Sequence, residues 1–139
     1  MARMIVAGVA GATILIGAAI AAAAPQSAVL AKAVPGLWEV SGVPGASGPA
    51  RECIGNPAAL AQFEHRARSC SRKVLSENGS SAIVEYSCSG RDFGRSKMTV
   101  ITPRSLRIET QGISDGLPFN YLIQARRVGE CQKAVAAAH

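Results

Sequence analysis

The chain has 139 residues, with 15 Lys or Arg against 9 Asp or Glu, a net charge of +6, four cysteines and six aromatic residues. That length suits one domain and is short for two. The basic balance favours anionic partners such as lipid head groups, cell-wall polymers or acidic proteins. No Lys/Arg block exceeds two residues and no aromatic platform lies between them, which argues against nucleic acid.

Residues 1–24 read as a signal peptide. Met1-Ala2-Arg3-Met4 is a short basic start, Ile5 to Ile20 is apolar except for Thr13, and Ala21 to Ala24 supplies the small residues a signal peptidase reads. Met4 to Ala24 is also long enough for a transmembrane anchor. The Ala/Gly-rich composition and the lack of basic residues just after it favour cleavage instead, after Ala23, Ala24 or Ala31. Losing Arg3 takes the charge from +6 to +5. No cysteine stands near the junction, so no lipoprotein anchor is expected. Residues 25–34 read as a poorly ordered linker, and a single β domain is expected over 35–131.

The domain opens at Pro35-Gly36-Leu37-Trp38-Glu39-Val40-Ser41, where Trp38 and Val40 alternate with Leu37, Glu39 and Ser41. Period-2 alternation predicts a strand, and core packing is the plainer role for Trp38, the only tryptophan. Val43 to Pro49 carries turn residues throughout. Ala50 to Ile54 is a short strand holding Cys53. Asn56-Pro57 then starts a helix with Asn as N-cap and Pro at the first position. It is expected to run to about Arg66, with Leu60, Phe63 and Ala67 on its buried side.

Cys70 to Cys88 reads as a β-hairpin turning at Asn78-Gly79-Ser80, because Asn-Gly supplies the positive φ angles of a tight turn. Folded there, Val74 meets Val84, Leu75 meets Ile83, Lys73 meets Glu85, and Cys70 meets Cys88. Apolar, opposite-charge and cysteine pairs then agree on one register. Cys70–Cys88 is therefore expected as a disulfide, leaving Cys53 with Cys131. Two bridges imply an oxidising compartment.

Gly90 to Gly94 is read as a turn and Arg95 to Thr102 as the next strand. The Pro103-Arg104 connection pairs Thr102 with Ser105, so Ile101 is expected opposite Leu106 and Thr99 opposite Ile108. The Asp115-Gly116 turn pairs Ser114 with Leu117, placing Ile108 opposite Ile123, Thr110 opposite Tyr121 and Gly112 opposite Phe119. Leu106, Ile108 and Ile123 fall on one face from both turns, which supports an antiparallel meander. Residues 132–139 are expected to fray as an alanine-rich, disordered tail. The fold class is mainly β: six to seven antiparallel strands curling into a small barrel or half-barrel, one short helix and two disulfides.

No catalytic, cofactor or metal constellation stands out. The cysteines lack a Cys-x-x-Cys pair, and His65 and His139 have no ligand spacing to them, so zinc is not expected. His65 is explained by the end of the helix, where a cation is favoured. Asp92 and Asp115 are explained by their turns. Arg95, Arg107, Arg126 and Arg127 could form a basic binding face, and Arg51, Arg66, Arg68 and Arg72 a second one near the helix. A plain solubilising surface accounts for both equally well.

Three features together resemble a known family: the Pro35-Gly36-Leu37-Trp38-Glu39 start, four cysteines with a hairpin between the middle pair, and the Arg126-Arg127-Val128-Gly129-Glu130-Cys131 finish. The chain is similar over Pro35 to Cys131 to small exported proteobacterial proteins catalogued as a domain of unknown function. These open with Gly-x-Trp-Glu and close on Gly-(Asp/Glu)-Cys. Members often carry a Met/Pro-rich insert after the Trp strand, whereas Val43–Pro49 is shorter and has no methionine. The resemblance implies a periplasmic location and an antiparallel β domain, and no activity. The expected function is thus a non-enzymatic exported domain that binds a partner or small ligand, or is structural in the envelope. A disulfide-stapled inhibitor of an envelope enzyme, presenting Gly42–Pro49 or Gly112–Pro118, is the alternative. A hydrolase using His65, Asp92 or Asp115 ranks last.

Overall fold

Residues 26–132 are described by a computed structural model; the expected signal peptide, 1–24, and the tail from 133 onward fall outside the described residues. Seven strands form one sheet: β1 (Gly36–Ser41), β2 (Ala50–Ile54), β3 (Cys70–Asn78), β4 (Ser81–Cys88), β5 (Phe93–Thr102), β6 (Ser105–Ser114) and β7 (Leu117–Gly129). Every pairing is antiparallel and the spatial order is β2-β1-β7-β6-β5-β4-β3. Alternation does what the sequence pattern requires. Trp38, Val84, Met98, Ile108 and Ile123 point to one face and are buried, while their chain neighbours face solvent.

The sheet does not close, so of the barrel and half-barrel expected from the sequence the closed barrel is excluded. β2 and β3 are its two edges. The chain between them forms a 3₁₀ helix, Pro57–His65, that packs on β4, β5 and β6 and covers the inner face. Layering the helix on the sheet buries the apolar face without joining its edges. The Asn56 side chain caps the helix by accepting from the Ala58 N–H at 3.0 Å, as expected of that residue. The backbone turns out of helical geometry at Gln62, however, and the helix ends one residue early. Leu60 and Phe63 are buried as expected, but Ala67 is exposed; Ala61, Gln62 and His65 are buried instead.

Both disulfides form as expected, Cys53–Cys131 and Cys70–Cys88. The β3–β4 register agrees from Cys70–Cys88 through Val74–Val84. There it shifts, so Ser76 rather than Leu75 meets Ile83. Leu75 is the extra residue of a bulge and stands 41% exposed. The β5–β6 hairpin carries a similar correction. Val100 pairs with Leu106 and Met98 with Ile108, and Ile101 is bulged out. A one-residue slip exchanges faces, and here it puts Met98 and Val100 in the core and leaves Ile101 outside. The β6–β7 register is the expected one throughout.

Residues 26–34 are not a loose linker. Val29, Leu30 and Ala33 belong to the hydrophobic core, and Leu30–Lys32 forms a 3₁₀ turn. Glu77 at the end of β3 holds this strap: its carboxylate accepts from the Ser27 hydroxyl and, at 3.0 Å, from the Val29 N–H. Those two hydrogen bonds, the hydroxyl's first, hold the Glu77 carboxyl below its ordinary pKa. The far end of the strap is held by the Trp38 indole N–H, which donates to the Val34 carbonyl at 3.0 Å. Apolar strap residues cover the edge of the core that the helix leaves open.

Candidate functional site

Between the strap, the start of the helix and edge strand β3 lies a cleft of about 730 Å³. Leu30 and Ala33 of the strap, Val74 of β3 and Val84 of β4 line it with apolar surface, and Asn56 and Pro57 stand at the helix start. Its charged lining residues are Arg72 and Lys73, both on β3, and no acid lines it. The Arg72 guanidinium donates to the buried Gln62 side-chain oxygen. Gln62 in turn donates to the Arg68 carbonyl at 3.0 Å, which ties the cationic side of the cleft to the helix end. The arrangement suits an occupant with an apolar body and a negative group.

At the other end of the helix, His65 sits in a closed seat. Tyr86, Gly94, Gly112 and Phe119 follow one another across β4, β5, β6 and β7 on the inner face. A Cβ at Gly94 would collide with the Tyr86 ring, and one at Gly112 with the β5 backbone. The two glycines let the Tyr86 ring lie against β5 at Gly94 and the Phe119 ring approach Gly112. The His65 ring packs in T-shaped contact with both, 5.5 Å from Tyr86 and 5.9 Å from Phe119 between centroids.

Polar groups converge on this seat. His65 Nδ1 lies 3.1 Å from the Tyr86 hydroxyl, and Nε2 lies 3.7 Å from Asp92 with no hydrogen-bond partner. Asp92 also pairs with Arg68 and accepts the Asp115 N–H at 3.0 Å. Tyr121 donates to Glu64 at 2.6 Å. Burial, aided by the nearby Glu64, pushes the Tyr86 hydroxyl up to about 12, and the same two causes raise Tyr121. Sequence reasoning gave His65 a helix-end role, with acid–base work in a hydrolase ranked last, and foresaw no aromatic seat. The signal it lacked was Gly94, read as part of a turn but placed by the structure inside β5.

Burial also lowers the His65 pKa from 6.5, outweighing the opposing pull of Glu64 and Asp115, while Arg68 adds to the lowering. Folded His65 therefore binds a proton less readily than unfolded His65. Stability is fully present above pH 6.5 and declines as pH falls from there toward the lowered value. Urea midpoints between pH 7.5 and 5.5 should fall for the native chain and stay flatter for His65→Phe. Parallel curves for the two proteins would refute this reading of the seat.

The arginines read as a basic face are distributed differently from that expectation. Arg95 pairs with Glu85 at 2.8 Å, Arg107 with Glu109 at 3.7 Å and Arg126 with Glu39 at 3.4 Å, all on the solvent face of the sheet. Arg127 leaves the set. Its side chain is only 8% exposed, and it donates to Glu130 and to the Pro35 carbonyl at 2.5 and 2.8 Å. The second group is dispersed among different acceptors: Arg51 on Glu39, Arg66 on Glu52, Arg68 on Asp92 and Arg72 on Gln62. Arg72 alone of the eight lines the cleft.

The two terminal stretches that carried the resemblance lie side by side. Trp38 pairs with Arg127, Glu39 with Arg126, and Leu37 with Gly129 across β1 and β7. Arg127 lies where a side chain on Gly36 would stand. Cys131, just past β7, reaches Cys53 on β2. These residues form a structural clasp, with Trp38 buried beneath it. The family model DUF3617, described as a protein of unknown function, matches residues 33–131. The chain belongs to the DUF3617 family. No curated protein and no solved structure matches it. The DUF3617 match begins at the last core residue of the strap and ends on the cysteine that completes the clasp. The two disulfides suit an extracellular or periplasmic setting. Among the described residues no helix is long and apolar enough to cross a membrane.

Proposed function

We propose that this DUF3617 chain is an exported, non-enzymatic binding domain and that the cleft at the open edge of its sheet is the binding site. The observation that carries the reading is the cleft itself: about 730 Å³, apolar within, with Arg72 and Lys73 as its charged groups. A concave apolar site with a few polar groups to orient its occupant is the usual form of a ligand pocket. Two disulfides and the signal-like residues 1–24 support export to the periplasm. The non-enzymatic reading is supported by His65, the best acid–base candidate, whose side chain is 2% exposed and walled by two aromatic rings. General acid–base work needs the proton carrier within reach of a substrate.

The test uses 8-anilinonaphthalene-1-sulfonate, an apolar anion. The folded native chain is expected to bind it saturably with enhanced fluorescence. Ala31→Trp places an indole at the exposed mouth of the cleft and should weaken binding by about tenfold, a difference of about 1.4 kcal/mol. Unaltered binding in a folded Ala31→Trp variant would move the site elsewhere.

A further inference from the structure

The third strand is unusually bare. β3 pairs only with β4, and Ser71, Arg72 and Lys73 are exposed. Among the described residues no backbone hydrogen bond reaches its outward edge. The cleft runs beside that edge, with Arg72, Lys73 and Val74 lining it. A free strand edge next to an apolar trough provides main-chain hydrogen bonds for affinity and a pocket for alternate side chains.

From this geometry we infer that an extended polypeptide segment with acidic side chains adds to β3 over Ser71–Val74 as an eighth strand. One row of its side chains enters the cleft. The inference rests on the cleft being the binding site and names its occupant. Charge selects the partner. Arg72 and Lys73 line the cleft and no acid does; Arg72 shares the inner face with Tyr86, whereas Lys73 stands across from Glu85 at the rim, so acidic residues are attracted and basic ones repelled. The same charges disfavour a second copy of this chain, because antiparallel pairing of β3 with itself would set Arg72 and Lys73 against their own counterparts. The docking length is set by structure at both ends. The Cys70–Cys88 bridge anchors the first residue, and the Leu75 bulge ends the regular run. An edge held at both limits loses little freedom on docking.

The probe is the acetylated and amidated peptide Val-Glu-Val-Thr-Val-Glu-Val, compared with its Val-Lys-Val-Thr-Val-Lys-Val counterpart. Backbone amide exchange is followed by NMR on the full chain with both disulfides intact. The acidic peptide is expected to slow exchange at the outward amides of Ser71–Val74 and to bind about tenfold more tightly than the basic one. Arg72→Glu and Lys73→Glu, made separately, should each reduce or reverse that preference; the second leaves the Gln62 contact untouched. No protection at Ser71–Val74, or equal affinity for the two peptides, overturns the strand-docking inference. If the naphthalene sulfonate still binds in that case, the cleft takes a small ligand and the proposed function stands. If neither probe binds, the cleft reading falls as well.

Discussion

Replacing Cys53 and Cys131 together by serine should lower unfolding stability by about 4.5 kcal/mol in a chain-entropy treatment of the loop. That bridge closes a separation of 78 residues, whereas Cys70–Cys88 closes 18. The same treatment gives about 3 kcal/mol for the shorter loop. The asymmetry is also mechanical. Cys53–Cys131 ties edge strand β2 to the end of β7, across β1. Cys70–Cys88 joins strands that already share a hairpin. A domain of this size is stable by roughly 5–15 kcal/mol, so the longer bridge is a large fraction of the total. Denaturant titration of both double-serine variants checks the claim. Equal losses, or a loss below about 1 kcal/mol for the longer bridge, would count against it.

Trp38→Ala should cost about 3–5 kcal/mol, the range for removing a large buried aromatic. Trp38 is fully buried at the centre of the β2-β1-β7 group. Truncation leaves a cavity under the clasp and removes the indole N–H that holds the Val34 carbonyl. The second effect gives the prediction a local signature. Amide exchange over Leu30–Ala33 should speed up in Trp38→Ala beyond the global change, because the strap loses one of its anchors and keeps only Glu77 and the Val34 N–H bond to the Pro103 carbonyl at 2.8 Å. In Trp38→Phe the ring still fills most of the space, so strap release should exceed what its smaller stability loss explains. Strap exchange that tracks global stability in both variants would show that Trp38 acts through packing alone.

Much of this architecture was readable from turn chemistry and cross-strand agreement. Asp115-Gly116 set the β6–β7 register correctly to its last pair, because the strands on both sides alternate without interruption. Cys70 opposite Cys88 came out right for a different reason: the expected turn was one residue longer than the observed Gly79-Ser80 loop, and the Leu75 bulge between turn and cysteines adds that residue back. Leu75 and Ile101 were misplaced because a bulge adds one residue with no change in composition, and both residues look like ordinary core. The strap was missed because Val29, Leu30 and Ala33 are three apolar residues among small ones, too few for a period to show. Sheet closure could not be judged from pairing rules, since the edges of an open sheet and a barrel seam share the same strand pattern.

The candidate site was less legible than the fold. The cleft joins residues from the strap, the helix start and β3, so no motif in the chain marks it. Arg72 was noticed as one of many arginines. Only the strand order shows that it lies on an edge. His65 and its glycine-floored seat required knowing that Gly94 and Gly112 are neighbours, and that neighbourhood depends on Gly94 being in a strand.

The position of β1 between β2 and β7 has a consequence for how the chain is made. β1 pairs with strands at opposite ends of the sequence, and β7 is the last to be synthesised. Until β7 emerges, the β1–β2 hairpin and the β3–β6 meander have no strand in common. During synthesis those two groups of strands are linked only through the 3₁₀ helix, and the single seven-stranded sheet has to wait for β7 to pair with both β1 and β6.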